Sequence, residues 1–408
     1  AAASAAAAAA SAASVAVVAD FTFTLASSVD NTGTNDVTAE IQALFTACKA
    51  AGGGRVRLPP GTFLVNGGLT IDFSCEFTGC PAQLWKDDGH VGLPGTYGTY
   101  LKQTTTNTMI TVEQYANGVQ IRNFGFIQSH TADASFVTPT AYPPVILIMG
   151  VACTVEHVML YNVNKGIQLG QESPEVGSGF ITLRNIRGGA FTWCIHVYKS
   201  AEFDNFSDLY FSGWTVDNNV NQRQYIQANA AAIYAGRWDS GSIVGLRVFG
   251  FKNGILTYVN GAFPVGEGVS TRLDLANLNF DKVRIGLLLV AYTAGRGANI
   301  TIIGDNSAGT YGIQCNLNSR WDFVNVNTVN HGTSAILAAE TGVRIGLANL
   351  RIDNPCVDND GSVAVYAAPL SGLEPAAIVT VSGDVQVSGG HPSANTGGGG
   401  TFRGSQTL

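Results

Sequence analysis

Three short stretches hold most of the side chains equipped to act on a substrate: "GQESPEVGSG" (170–179), "HVYKSAEFD" (196–204) and "YAGRWDSGS" (234–242). Glu172 or Glu175 together with Asp239 supplies two carboxylates, the minimum for acid and base work on a glycosidic bond. Tyr234 and Trp238 offer flat faces on which a sugar could stack, while Arg237 and Lys199 are suited to hold an acidic substituent. Asp217 opens the polar run "DNNVNQRQYIQANA" (217–230), and Trp214 stands just before it. Asp217 is a further candidate carboxylate, as are Asp204 and Asp208, and Trp214 is a further sugar-binding ring. His196 is the one histidine expected to face outward from a sheet, as a base or as a binding group.

Each of these residues also has a plainer reading. Exposed carboxylates at corners are usually just solvated, Arg237-Trp238-Asp239 has the look of a packed ion pair at a subunit contact, and His196 fits an interface. The second Arg-Trp-Asp, Arg320-Trp321-Asp322, starts a strand and reads as structural. No group of Asp, His and Cys shows metal-ligand spacing, so neither a metal nor another cofactor is expected.

Composition describes the elements that must position these side chains. Of the 408 residues only 12 % are charged, 49 are Gly, and the apolar residues fall in short runs rich in Val, Ile, Leu and Ala. That is the signature of many short strands and frequent corners. A net charge of −7 with 22 Lys and Arg argues against a nucleic-acid partner. No apolar run is long enough to predict a membrane span. Cys48, Cys75, Cys80, Cys153, Cys194, Cys315 and Cys356 are odd in number and scattered, which predicts buried thiols and no disulfide framework.

A repeat runs through the chain. A small residue, an aliphatic residue, any residue and an apolar one recur around Ile167, Ile195, Ile233, Ile255, Leu287, Ile313, Ile336 and Val365. The spacing is mostly 22 to 30 residues, with a longer step where the polar run 217–230 intervenes. Alternation points these aliphatics inward and the next residue outward, giving Gln168, His196, Tyr234, Leu256, Leu288, Gln314, Leu337 and Tyr366 as an exterior row. A row of outward Leu wants a partner; covering loops are the alternative. Between the repeats lie Asn residues flanked by apolar ones, in "IRNFGF" (121–126), "LRNIRG" (183–188), "FDNFSDL" (203–209), "LANLNF" (275–280) and "LANLRI" (347–352). Asn tolerates the left-handed conformation of a sharp bend, and stacked Asn amides can bond along a ladder. These features predict an all-β fold, a right-handed parallel β-helix. Neighbouring coils would lie about 4.8 Å apart, so carboxylates two coils apart would stand near 10 Å, a gap suited to inversion through a water.

The N-terminal part of that solenoid is legible in detail. "DVTAEIQALFTACKAAGGG" places Ile41, Leu44, Phe45 and Cys48 on one helical face, with Asp36 or Thr38 to cap it and Gly52 to Gly54 to end it. "RVRLPPGTFLV" then sets two short strands around a Pro-Pro-Gly corner, with Val56 and Leu58 on one face. The whole run 30–65 resembles the opening segment of the pectate-lyase-like β-helix superfamily. There an Asp-rich loop and a capping helix precede Gly-Gly-Gly and a Leu-Pro-Pro-Gly-Thr-aromatic corner. The Ala/Ser-rich lead, "AAASAAAAAASAASVAVVA" (1–19), is similar to linkers ahead of phage tail-fibre and tailspike bodies.

The resemblance implies a bacteriophage tailspike: a homotrimer on the virion tail, joined to other tail proteins through its N-terminal end. Such a spike binds a bacterial surface polysaccharide, whether capsule, exopolysaccharide or O-antigen, and depolymerises it as a glycoside hydrolase or polysaccharide lyase. A non-enzymatic receptor-binding or structural spike is the alternative, and a secreted monomeric lyase or hydrolase a third. No catalytic residue carries over from the superfamily. The expected organisation is a helical lead (1–29), a capping helix with the first strands (30–66), the β-helix (67–388) and a Gly-rich tail (389–408).

Overall fold

Ile41, Leu44, Phe45 and Cys48 recur at the spacing of one helical face, and the chain from Thr38–Ala50 is a helix that buries those four side chains. Asp36 meets its start, accepting from the Thr38 N–H at 3.1 Å and its hydroxyl at 2.5 Å. Gly52, Gly53 and Gly54 end it with positive φ, and the Gly53 N–H returns to the Cys48 carbonyl. Past the helix, Val56 and Leu58 are both fully buried, and Pro59-Pro60 turns the chain into the strand Gly61–Leu64.

The structure is a computed structural model. It describes residues 15–18, 21–82, 97–130, 136, 138–172, 174–214, 220–258, 271–290, 292–305, 307, 309–340, 342–355, 365–367, 377–388, 394–396 and 401–404. These residues form two helices and strands that pair in parallel apart from the first two. The chain divides into two compact units, residues 1–194 with 214–222 and residues 195–213 with 223–408.

In the first unit, three interior rows run from strand to strand in parallel register. One is Phe23, Val56, Phe77, Ile121 and Val155. Another is Phe63, Leu101, Phe126 and Leu160, and the third is Leu69, Ile110, Ile146 and Ile167. Every one of these side chains is buried, each worth about 1.5–3 kcal/mol on burial. Three rows per coil with like residues stacked on like is the parallel β-helix arrangement.

The second unit repeats the scheme. Ile233, Ile255, Leu287, Ile313, Ile336 and Val365 form one row in register, all buried. In a neighbouring row Trp321 follows Gly295, and in the next Phe323 follows Gly297. A Cβ on either glycine would run into the indole or the phenyl ring. Gly295 and Gly297 therefore make room for Trp321 and Phe323, whose rings stack at 5.5 Å.

The corners follow the expected Asn chemistry. In the second unit Asn277, Asn299, Asn325 and Asn349 all have φ near +55°, and their amides bond in sequence at 3.0 Å. Asn299 and Asn325 join this ladder although they lie outside the quoted pattern. In "FDNFSDL" the left-handed residue is Asp208, three residues beyond the Asn expected to fill that role. Asp208 and Gly245 carry the same corner without a ladder amide. In the first unit Asn123 and Asn185 bend as expected, and His157 takes the left-handed place in register with Asn123.

Two expectations are corrected, one on the lead and one on the tail. The lead was expected to be helical over 1–29, yet Val15–Val18 and Thr22–Leu25 pair as antiparallel strands; β-branched Val and aromatic Phe favour that form. Residues 1–14 lie outside the described residues. The polar run after residue 217 contains a helix, Val220–Asn229, which buries Ile226 and Gln222. At the C-terminal end of the expected β-helix, Ile378–Ser388 is one continuous strand. Thr401–Gly404 then pairs with it in parallel, so coil pairing extends into the Gly-rich tail.

Cys48, Cys75, Cys153, Cys194 and Cys315 are buried, Cys80 is half-buried, and all six are free thiols. Burial pushes Cys48 and Cys153 up to about 11 and Cys75 up to about 12, so these sulfurs stay protonated. Cys356 is outside the described residues.

Candidate functional site

The structure distributes the residues singled out from the sequence. Glu172 and Glu175 are exposed in the first unit, next to a small bridge between Gln171 and Val176. Trp214 is 43 % exposed and belongs to the same unit. Asp217 lies outside the described residues. Asp239, Arg237, Lys199, Tyr234 and His196 belong to the second unit.

Arg237 and Asp239 form a bidentate pair, Nε to Oδ1 at 2.8 Å and Nη2 to Oδ2 at 2.9 Å. The packed ion pair read from the sequence is thus present within one chain. Trp238, expected to offer a face to a sugar, is fully buried and packs on Phe206 at 4.7 Å. The correction has a local cause. Ala235 and Gly236 are buried in succession, which breaks the alternation after Tyr234 and turns the following residues over. Gly241 leaves the space that the Trp238 ring fills.

Tyr234, His196 and Tyr258 form an aromatic group. Tyr234 stacks on Tyr258 at 4.2 Å and on His196 at 5.0 Å. His196 Nε2 and the Tyr258 hydroxyl share a hydrogen bond of 2.8 Å, and the imidazole is only 9 % exposed. His196 is therefore covered rather than open on the sheet. The exterior row itself is in register: Tyr234, Leu256, Leu288, Gln314 and Leu337 face one another on successive coils. The Leu residues in it are half-buried. Tyr366 continues the register.

A concavity of the second unit lies on other strands. Strands Thr271–Val283 and Arg320–His331 alternate buried and exposed residues at their N-terminal ends. Leu273, Leu275, Trp321 and Phe323 point in, while Arg272, Asp274, Arg320 and Asp322 point out. Parallel register stacks the outward residues into two rows. One runs Arg272, Ala294, Arg320 and Arg344, and the other Asp274, Arg296, Asp322 and Gly346. The rows line a groove of about 610 Å³ and an adjoining one of about 440 Å³, which share Arg320 and Asp322.

Asp274 pairs with Arg296 at 3.3 Å, both well exposed. Asp322 is exposed and takes part in no ion pair among the described residues. Its carboxylate lies over Gly346, where a Cβ would collide with Oδ1. The second Arg-Trp-Asp was read as structural. That holds for Trp321, which is buried and donates to Thr293 Oγ1 at 3.0 Å. It does not hold for Arg320 and Asp322, which face the groove.

Asp274, Arg272, Arg296 and Arg344 were not singled out from the sequence, and Asp322 was named there only as structural. The available signal was the alternation in "TRLDLANL" and "RWDFVN", read for its charged positions as well as its apolar ones. Among the described residues no group of three or more His, Cys, Asp or Glu is placed to hold a metal ion. No described helix is long and apolar enough to cross a membrane.

No protein-family model matches the chain, and no curated protein matches it. Solved structures do. A mutant tailspike protein of E. coli bacteriophage HK620, in complex with a hexasaccharide, superposes with a TM-score of 0.57 at 10 % identity, over 87 % of this chain and 69 % of that one. The catalytic domain of a mutant GH87 α-1,3-glucanase, in complex with tetrasaccharides, gives 0.52 at 14 % identity, over 94 % and 68 %. The chain has the parallel-stranded β-helix fold that these two proteins share.

Proposed function

We propose that the protein is a bacteriophage tailspike, homotrimeric on the virion tail, which binds a host surface polysaccharide and cleaves its glycosidic bonds. The observation that carries the reading is the outward placement of Asp274 and Asp322 two coils apart in one groove. At about 4.8 Å per coil their backbones stand about 10 Å apart, leaving room for a water beside a sugar ring. Asp322 serves as the acid that protonates the leaving glycosidic oxygen. Asp274 takes a proton from the water whose oxygen attacks the anomeric carbon from the opposite face, and the C–O bond breaks with inversion. The fold shared with a tailspike and a glucanase, both holding oligosaccharides, supports the reading. The in-register Leu row supports assembly with further copies of the chain.

One observation favours a non-enzymatic receptor-binding spike instead: Asp239 and Asp274 are each already engaged by an arginine. The test is release of oligosaccharides from purified capsule or O-antigen, read by mass spectrometry. Products carrying an added water are expected, with activity lost in Asp322→Asn and Asp274→Asn. Glu172→Gln, Glu175→Gln and Asp239→Asn are assayed beside them, and loss confined to those three would move the chemistry to the residues first read from the sequence. Unsaturated products would replace hydrolysis by elimination. A glycan bound firmly yet left intact would leave adhesion as the function.

A further inference from the structure

One series of charged side chains on the first unit is neutralised pair by pair. Arg55 meets Glu76 at 2.8 Å, Arg122 bridges Glu76 at 3.6 Å and Glu156 at 3.4 Å, and Arg184 closes on Glu156. The series alternates in sign from coil to coil, as expected where charge only has to be accommodated.

The groove of the second unit is built differently. Four arginines, Arg272, Arg296, Arg320 and Arg344, face two aspartates, Asp274 and Asp322. Only Arg296 is paired. Arg272, Arg320 and Arg344 form no ion pair among the described residues, although Asp322 is close by in the adjoining row. Three guanidinium groups held in register on nearby coils repel one another, and on a chain of net charge −7 they concentrate positive charge at one place. Such an arrangement favours an anion with its own charges spaced along its length. Ala294 stands between Arg272 and Arg320 in the same row, so no side chain of any length fills the gap there.

We infer that the glycan bound in this groove is acidic, its carboxylates taken by Arg272, Arg320 and Arg344. The inference rests on the polysaccharide reading above and specifies its substrate class. A guanidinium presents two parallel N–H donors to a carboxylate, and a row of them in register would meet acidic sugars at repeated positions along one chain. The rigid coil spacing sets which repeat fits.

The experiment uses the full chain and a panel of purified bacterial capsular polysaccharides, acidic and neutral. Each acidic glycan is also presented with its carboxylates reduced to alcohols. Retention of at least one acidic glycan is expected, weakened at least tenfold by carboxyl reduction, by Arg320→Gln and by Arg344→Gln, and weakened by added salt. Arg184→Gln, in the paired series of the first unit, should bind as the parent does. Thermal melting of each variant separates lost contacts from lost folding. Equal binding of the native and reduced glycan, or retention of neutral glycans only, would overturn the acidic assignment while leaving the polysaccharide reading intact. Binding to no glycan in the panel would overturn both, and retention of single-stranded DNA in place of every glycan would do the same.

Discussion

Asp322 lays its carboxylate over the α-carbon of Gly346 on the next coil, where a Cβ would meet Oδ1. The glycine has an ordinary φ, so its value here is the space it leaves and not its backbone freedom. Gly346→Ala should therefore push the Asp322 carboxylate aside without unfolding the coil. Displacement of a reacting group by about 1 Å costs on the order of a hundredfold in rate. Turnover of the capsule substrate should fall steeply while the melting temperature stays within a few degrees, and parental turnover would remove Asp322 from the chemistry.

Trp238 belongs to the core. Replacing it with Ala opens a cavity against Phe206 and above Gly241, a change that costs about 3–5 kcal/mol. Urea unfolding should show that loss. A variant of parental stability that binds glycan poorly would restore Trp238 to the binding surface.

Asn325 accepts from Asn349 and donates to Asn299, both at 3.0 Å, while holding φ at +55°. Asn325→Ala removes two ladder bonds and places a Cβ residue with no polar compensation in the left-handed region. A loss of about 2–3 kcal/mol is expected. Asn325→Gly keeps the bend accessible and should lose less. Equal losses in the two variants would mean that the backbone conformation contributes nothing.

His331 is fully buried, and that burial pushes its imidazole down to about 4. Unfolded histidine titrates near 6.5. Between those values the unfolded chain binds a proton that the folded chain does not, so stability is complete above pH 6.5 and is lost as pH falls toward 4. The shift corresponds to about 3 kcal/mol from this residue alone. His130, also pushed down to about 4 by burial, acts in the same direction. Urea midpoints at pH 7 and pH 4.5 should diverge in the parent and draw together in His331→Gln. An unchanged pH dependence in that variant would show that His331 does not drive the acid sensitivity.

Much of the fold was legible because its rules are local. The helical face of Ile41, Leu44, Phe45 and Cys48, the Gly stop behind it, and the inward aliphatics from Ile167 to Val365 each follow from a short period in the chain. The left-handed Asn residues at 123, 185, 277 and 349 could be read for the same reason. Asn205 could not, because Asp208 can take the same bend and nothing nearby in the chain ranks the two.

The two Arg-Trp-Asp triplets show where local reading ends. From sequence they received opposite roles, yet in both the tryptophan is buried and the charges point outward. In the first triplet, the break in alternation at Ala235 and Gly236 sets the phase, and a slip of one residue exchanges the two faces of a strand. The groove is decided at longer range still. Arg272, Arg320, Arg344, Asp274 and Asp322 lie on separate coils, and what brings them side by side is the register between those coils. That register depends on the length and path of every loop between them. The sequence by itself determined which residues fill the coils and where the chain bends; only the stacking of one coil on the next decided which charges share a surface.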